Sequence, residues 1–324
     1  MIQIVNELKT YLKEVPDNTL RKHYFLFFLT FLSATFTQYG LIVEDDEIIK
    51  LLLSFSYSIP VMIILFSHEM GHYIFAKRYK VEATLPYFIP FPLNQVGTLG
   101  AYIRMKSMPP DKSSLLDIAF WGPAMSFLVS IPVTIVGLIL SKNFPVTQQS
   151  EGFHFGTPLI IEFLARVFTD FSADAYLISH PLVFAGWVGF LVTAINLFPI
   201  GQLDGGHIAY VFFGKRQKSI SLLFMIIIFL LSFEFLGWLF FAAMIYIMIG
   251  IEHPPLFERH REHLNKKRKK MAFLSAAMLI LCFIPVPIHI DEDALTPPPN
   301  SIPERFDSGH KVMKIFHVPE DNKT

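Results

Sequence analysis

The sequence predicts an all-α polytopic membrane protein with about six to seven transmembrane helices. Hydrophobic residues make up 52% of its 324 positions, only 17% are charged, and the apolar residues fall in long runs. Soluble domains carry about 25% charged residues, so the composition favours the membrane class. With 27 basic and 27 acidic residues, the chain has no net charge that would indicate a nucleic-acid partner. The single cysteine, Cys282, excludes an internal disulfide and a thiolate zinc site.

Seven apolar runs are candidate spans, because a bilayer is crossed by about 20 apolar residues in a helix. The runs are 24–43, 51–76, 115–140, 181–200, 219–233, 235–251 and 271–288. The stretch 219–251 is nearly continuous, and we divide it at Glu234 into a tight hairpin. Its two halves, 219–233 and 235–251, are short for a bilayer. The resulting organisation is an N-terminal segment 1–23, a core 24–251, a basic loop 252–270, a final helix 271–288 and a polar tail 289–324.

The distribution of basic residues predicts the orientation of the chain. With the N-terminus in the cytoplasm, 20 of the 27 Lys and Arg residues lie in cytoplasmic segments and 7 lie outside. Cytoplasmic loops are enriched in Lys and Arg, so this count favours a cytoplasmic N-terminus and an external C-terminus. The basic run at 266–270 is the main anchor, and the second span then ends at the cytoplasmic face.

The second span carries the pattern His68-Glu69-Met70-Gly71-His72. Ionisable groups in hydrocarbon are costly and are retained mainly where they bind ions or perform chemistry. Residues i and i+4 of a helix share a face, so both imidazoles can reach one ion while Glu69 lies beside it. This is the HExxH arrangement of two zinc ligands and a general base. The alternative is a pair of histidines that neighbouring helices satisfy.

A catalytic zinc with two histidines needs a third protein ligand. Asp117 begins the third span and Glu234 lies at a presumed outer turn, where carboxylates are ordinary. Asp204 differs, because it lies in the segment 196–206 at the cytoplasmic end of the fourth span, at the depth of the two histidines. A proline and a glycine break the helix before it, and irregular backbone at that depth needs protein or water around it. Asp204 is therefore the best candidate for the third ligand.

The two motifs together resemble the site-2 protease family of intramembrane zinc metalloproteases. That family combines HExxH with a later NxxPxxxLDG segment, and this chain reads HEMGH and then NLFPIGQLDGG. The likeness covers about residues 59–213. Residues 97–102 and 109–114 are similar to a branch without a PDZ domain, which includes the chloroplast gravitropism-linked members and their bacterial relatives.

The resemblance implies an enzyme that hydrolyses peptide bonds in or near transmembrane segments of membrane protein substrates. It implies one Zn²⁺ held by His68, His72 and Asp204, with Glu69 as catalytic base and Asn196 as an auxiliary residue near the reacting carbonyl. The bacterial relatives favour the bacterial inner membrane, with the active site toward the cytoplasm. Because the outer loop 141–180 is too short for a PDZ domain, substrate selection falls to the spans, the loops or an adaptor membrane protein.

The third span departs from the family pattern. Members usually carry a Gly-Pro-x-x-Asn element, which here ends in Ser126 after Gly122 and Pro123. Serine offers one donor where asparagine offers two donors and an acceptor, so the role of this element stays open. Outside the motifs, His207 is interpreted as a packed histidine, with a role beside the aspartate ligand as the alternative. His253 is interpreted as a solvated residue of the charged loop, as are His260 and His263.

Residues 82–106 connect the second and third spans and are rich in Pro and Gly, which argues against a span-length helix. The residue pattern alone favours an irregular interfacial loop, whereas the family likeness favours a short membrane-associated β-hairpin or re-entrant loop. An exposed strand there could pair with an extended peptide by strand addition. The candidate substrate-binding residues are Gly97, Thr98, Leu99 and Gly100.

A zinc-binding membrane transporter or metal-handling protein is the competing function, because intramembrane His and Asp also suit ion passage. A transporter needs polar groups along a path on both sides of the midplane, often within internal repeats. In this chain they cluster at one depth and no repeat is evident. An inactive scaffold is a third reading, which the intact motifs disfavour.

Overall fold

A computed structural model describes residues 17–42, 44–145, 153–169, 175–178, 180–255 and 264–290. The predicted segments 1–23 and 252–270 lie partly outside the described residues, and the tail 289–324 lies almost wholly outside them. The helices of the described part are α1 (Asp17–Leu41), α2 (Glu47–Arg78), α3 (Lys112–Leu140), α4 (Leu159–Phe168), α5 (Pro181–Leu197), α6 (Asp204–Phe213), α7 (Gln217–Leu231), α8 (Gly237–Met248) and α9 (Lys266–Cys282).

Three of these helices are long and apolar enough to cross a membrane: Thr19–Leu41, Glu47–Arg78 and Lys112–Leu140. Pro181–Leu197 and Gly237–Met248 are apolar but shorter. A largely helical protein with membrane-spanning helices is therefore confirmed, whereas a total of six to seven spans stays a prediction. The division of 219–251 at Glu234 agrees with the structure, since α7 ends at Leu231 and α8 begins at Gly237.

Local sequence explains where the two central helices begin. The Asp46 side chain accepts hydrogen bonds from the backbone N–H groups of Ile48 and Ile49 and so caps α2. Asp111 and Ser114 form a reciprocal capping box at the start of α3. These caps satisfy N–H groups that a helix leaves free at its first turn, so both long helices have fixed starting points.

A β-hairpin connects α2 and α3, as the family likeness predicted and as the residue pattern alone did not. Strand β1 (Tyr87–Pro90) pairs antiparallel with β2 (Thr98–Tyr102). Side chains of α1 and α2 hold its turn, because the Ser33 hydroxyl donates to the Gly97 carbonyl over 2.6 Å and the Tyr57 hydroxyl donates to the Val96 carbonyl over 2.8 Å. Gly97 has φ +77°, and a Cβ there would overlap the backbone of α1.

The all-α prediction is wrong in one respect, because the structure has two further two-stranded antiparallel sheets. Strand β3 (Lys142–Pro145) pairs with β5 (Ala175–Ile178), and β4 (Phe153–Phe155) pairs with β6 (Ile288–Ile290). Strands of three or four residues are too short to show a reliable alternation, which is why the sequence did not predict them. The predicted outer loop 141–180 also contains α4, a short amphipathic helix.

Helices α2, α3 and α5 pack closely around small residues. A Cβ on Gly189 would overlap the Ser130 hydroxyl, and one on Gly186 would overlap the Thr134 hydroxyl. Small and hydroxylated residues let helices approach in membranes, where dispersion contacts and hydrogen bonds drive association. The motif-bearing helices therefore form one tightly packed unit, and this unit fixes the position of the candidate site.

Candidate metal centre

The HExxH residues lie inside the helix bundle. His68, Glu69 and His72 on α2 retain 3%, 5% and 8% of their surface exposed. On the same helix, Gly71 contacts α3 so closely that a Cβ would overlap the Trp121 carbonyl. Likewise, a Cβ on Gly122 of α3 would overlap the His72 imidazole. The two helices thus meet backbone to backbone at the level of the histidines.

Helix α3 orients both imidazole rings. The Nδ1 atom of His72 lies 2.9 Å from the Ile118 carbonyl oxygen, which can only accept, so Nδ1 carries the proton. The Nδ1 atom of His68 lies 3.1 Å from the hydroxyl oxygen of Ser126, which donates to the Pro123 carbonyl over 3.0 Å. Both Nε2 lone pairs are thereby left available, as metal-binding histidines require.

Asp204 reaches the histidines because the chain turns sharply after α5. It is the first residue of α6, and a Cβ on Gly205 would overlap the Leu197 carbonyl at the end of α5. The irregular backbone before it is hydrogen-bonded from α7: the Ser221 hydroxyl donates to the Pro199 carbonyl over 3.0 Å, and the Gln217 amide donates to the Gly201 carbonyl over 3.2 Å. These bonds satisfy backbone groups that would be costly to leave unpaired at this depth.

The structure brings the three predicted metal-binding residues together. The Nε2 atoms of His68 and His72 lie 3.1 Å apart, and they lie 3.5 and 3.3 Å from the Oδ2 atom of Asp204. That oxygen is buried and accepts no hydrogen bond. Three acceptor atoms facing one another call for a cation, and donors of a tetrahedral zinc at about 2.0–2.2 Å lie about 3.3 Å apart. The donor set therefore fits a zinc ion.

Glu69 lies beside this donor set and contacts the hairpin connection. Its carboxylate lies close to the backbone of Ile103, the residue that follows β2. The side chain is 5% exposed and is not one of the three clustered donors. This is the placement expected of a general base, which must lie next to the metal without binding it.

Ser126 contacts one of the candidate metal ligands, whereas the described contacts of Asn196 lie within its own helix. The Asn196 amide donates to the Val192 carbonyl over 3.0 Å, one turn earlier on α5, so its auxiliary role stays a prediction. Ser126 is fully buried and contacts both His68 and, over 2.9 Å, the hydroxyl of Thr193 on α5. The serine at the departure from the family pattern thus contacts a predicted metal ligand, and its place in the Gly-Pro-x-x motif was the available signal.

The histidines outside the motifs are partly as predicted. His207 is packed, and its Nδ1 lies 2.7 Å from Nε2 of His253. The prediction of a solvated His253 is wrong, because this residue is 6% exposed and stacks on the Tyr210 ring with centroids 4.1 Å apart. Burial lowers the pKa of His253, which keeps its ring neutral and able to accept a hydrogen bond from His207. His260 and His263 lie outside the described residues.

Helix α2 is long enough to cross a membrane, and it carries the two buried histidines of an HExxH motif. An aspartate from a later helix completes the cluster. These features define a membrane-embedded protein with a metallopeptidase-type site. A sequence model described as Peptidase family M50 matches residues 56–236, which include Glu69 and all three metal-binding candidates. The chain belongs to peptidase family M50, which confirms the predicted site-2 protease resemblance.

Several plant proteins are similar to this chain. A probable zinc metalloprotease EGY1, chloroplastic, from Arabidopsis thaliana is 37% identical over 158 residues, which are 47% of this chain and 28% of that protein. The EGY1 protein of Oryza sativa subsp. japonica is 37% identical over 161 residues, 48% of this chain and 27% of that protein. The chain thus spans a little over a quarter of the length of these relatives. No solved structure matches it significantly.

Proposed function

We propose that the protein is an intramembrane zinc metalloprotease that hydrolyses peptide bonds in or near transmembrane segments of other membrane proteins. The observation that carries this proposal is the buried cluster of His68, His72 and Asp204 with Glu69 beside it. The names of the relatives, probable zinc metalloproteases, agree with it. A transporter is not favoured, since the cluster has a general base beside it and lies on helices packed backbone to backbone.

The proposed mechanism assigns one task to each residue. His68, His72 and Asp204 hold one Zn²⁺, which when bound polarises the scissile carbonyl and acidifies the attacking water. Glu69 accepts the proton of that water and delivers it to the leaving amine. Asn196 is assigned to the developing oxyanion, after rotation away from its present partner on α5.

The hairpin is proposed to receive the substrate at Gly97, Thr98, Leu99 and Gly100. Within the described residues β2 pairs with β1 alone, so no other strand occupies its second edge, where an extended peptide could add. The Leu99 side chain is 56% exposed, and the strand leads directly to Ile103, whose backbone lies close to Glu69. A peptide laid along β2 would therefore run toward the general base. A helical substrate must unwind to do so, which exposes its peptide bonds.

Replacing Leu99 with aspartate tests this role without disturbing the docked turn. Burying a leucine side chain contributes about 1.5–3 kcal/mol, so kcat/KM for an apolar transmembrane substrate is expected to fall about tenfold or more at unchanged zinc content. Met108→Asp is the control, because Met108 is also exposed, at 61%, and follows the hairpin. Equal cleavage rates for the two variants would remove Leu99 from the substrate site.

The finer location and domain division are also proposals. The excess of Lys and Arg in segments predicted to be cytoplasmic supports a cytoplasmic N-terminus with the active site toward that side. A bacterial inner membrane rests on the likeness to bacterial members alone, and the plant relatives named above are chloroplastic. An adaptor membrane protein is proposed to contribute to substrate selection. The core is proposed to span 24–251, with a further membrane helix in the predicted segment 271–288, where the structure has α9 ending at Cys282.

The function is tested with the purified protein in lipid vesicles. We expect one zinc per chain and cleavage of single-span reporter proteins within or next to the span, lost on treatment with a chelator and restored by Zn²⁺. Vesicles loaded with a zinc-sensitive dye report transport in the same preparation. Zinc flux without cleavage of any reporter would favour the transporter, and neither activity from a zinc-loaded protein would favour a scaffold.

A further inference from the structure

We propose that Arg268 and Asp117 are positioning residues for the metal ligand His72, so that the last described helix takes part in zinc binding. The inference rests on the proposed function of the metal centre. It concerns a residue that lies outside the segment 56–236 matched by the family model and outside both sequence motifs. Arg268 acts through Asp117 and α3, and it touches neither the ligands nor a substrate.

The two residues form a bidentate ion pair between α9 and α3. The guanidinium of Arg268 donates to Asp117 through Nε over 3.2 Å and through Nη2 over 2.9 Å. The hydroxyl of Tyr79, the residue that directly follows α2, donates to the same carboxylate, and Arg268 Nη2 lies 3.3 Å from that hydroxyl. The Asp117 side chain is 12% exposed and the Arg268 side chain 23%. One carboxylate thus joins the ends of three helices.

This junction is adjacent to the bond that orients His72. Asp117 precedes Ile118, whose carbonyl accepts the His72 Nδ1 hydrogen over 2.9 Å. Tyr79 follows His72 by seven residues, about two turns along α2. Helices α2 and α3 are therefore joined at two points on this side, the Ile118–His72 bond and the Asp117–Tyr79 bond. A shift of the start of α3 would change the direction of the Ile118 carbonyl and with it the His72 ring.

Arg268 differs from the other members of the basic run 266–270. The four lysines of that run are exposed, as expected of residues that face solvent or lipid headgroups. Arg268 alone turns inward, and its hydrogen bond with Asp117 raises the pKa of its guanidinium. The planar guanidinium of arginine can donate two parallel hydrogen bonds to a carboxylate, whereas the ammonium group of lysine cannot. The sequence position of Arg268 suggests a topology signal, whereas its contacts assign it to the metal centre.

Removing Arg268 leaves a largely buried carboxylate without its main partner. A buried charge that loses its partner destabilises the folded protein. The start of α3 is therefore expected to shift so that the Asp117 carboxylate reaches solvent. The Ile118 carbonyl then no longer holds the His72 ring in position. Loss of a group that orients a metal-binding histidine typically lowers metal affinity by about 10–100-fold.

The decisive experiment compares Arg268→Gln with Lys267→Gln in the full-length protein. Zinc affinity is measured by competition with a chelator, and ligand geometry is measured by the visible absorption of the Co²⁺-substituted protein. We expect Arg268→Gln to bind zinc about tenfold or more weakly and to shift the Co²⁺ bands. Lys267→Gln removes the same charge from the adjacent exposed position and is expected to match the wild type in both measurements.

Two further variants keep the test conclusive. Arg268→Lys retains the charge without the planar guanidinium and is expected to restore affinity only in part. If Arg268→Gln fails to fold, Tyr79→Phe removes one hydroxyl from the same junction, and the same shift of the Co²⁺ bands is expected. Unchanged affinity and Co²⁺ spectra in folded Arg268→Gln or Tyr79→Phe protein, or equal losses in Lys267→Gln, would overturn the proposal. These measurements need no substrate, so failure of the proposed proteolysis would show separately.

Discussion

Glu69→Gln is expected to retain zinc and to lose nearly all peptide hydrolysis. A glutamine has the size of a glutamate but cannot accept the proton of the attacking water. General-base catalysis contributes about 10²–10⁴-fold, so the cleavage rate should fall by about that factor. Glu69 is not among the three clustered donors, so zinc content per chain should stay at the wild-type value. Both quantities are measured on the same vesicle preparation.

Glu252→Gln is the control for this change. Glu252 is an exposed glutamate that pairs with Lys218 over 2.9 Å, and it is not part of the metal centre. Its replacement should alter neither the rate nor the zinc content. Wild-type cleavage by Glu69→Gln would show that another group accepts the proton. Loss of zinc from that variant would instead mean that Glu69 is a ligand.

Asp204→Asn is expected to release the metal. The neutral amide binds zinc far more weakly than a carboxylate, and the ion would keep only the two imidazoles of His68 and His72. Loss of a group that merely orients a ligand costs about 10–100-fold in affinity, so loss of the ligand itself should cost more. The measurement is the zinc dissociation constant, with cleavage measured at saturating zinc as the second readout.

Asp45→Asn provides the matched comparison, since Asp45 is an exposed aspartate in the connection before α2. It should bind zinc as the wild type does. Wild-type affinity in Asp204→Asn would contradict the assignment of the third ligand, because the amide oxygen alone would not account for it. Together with the Glu69 variant, this result separates the group that binds the metal from the group that moves the proton.

The cluster of three candidate metal ligands could be predicted from the sequence because it depends on local spacing and on a local helix break. His68 and His72 share a helix face by their separation of four residues, and Asp204 follows a stretch in which Pro199 and Gly201 interrupt the helix. The hairpin between α2 and α3 needed the family likeness, since an apolar run rich in Pro and Gly is compatible with several loop conformations. The membrane-spanning character followed from composition, whereas the number of crossing helices did not.

The residues that support the ligands were not predictable in the same way. Ser126 contacts His68 across 58 positions of sequence, and Arg268 contacts Asp117 across 151. No periodicity or spacing rule connects residues so far apart, and a basic residue near a membrane helix is first interpreted as an orientation signal. Likewise, His253 lies among charged residues in the sequence, yet it is buried, and Tyr210 of α6 and Gln217 of α7 both contact it.

The contacts of Gly71 with Trp121 and of Gly122 with His72 determine where water and substrate can approach the candidate metal centre. Where α2 and α3 touch through their backbones there is no gap for a solvent molecule or a peptide. The contact between these two helices is therefore closed at this level, and a substrate must reach the histidines by another path. An inhibitor directed at the candidate metal centre is likewise not expected to enter between α2 and α3 at this point.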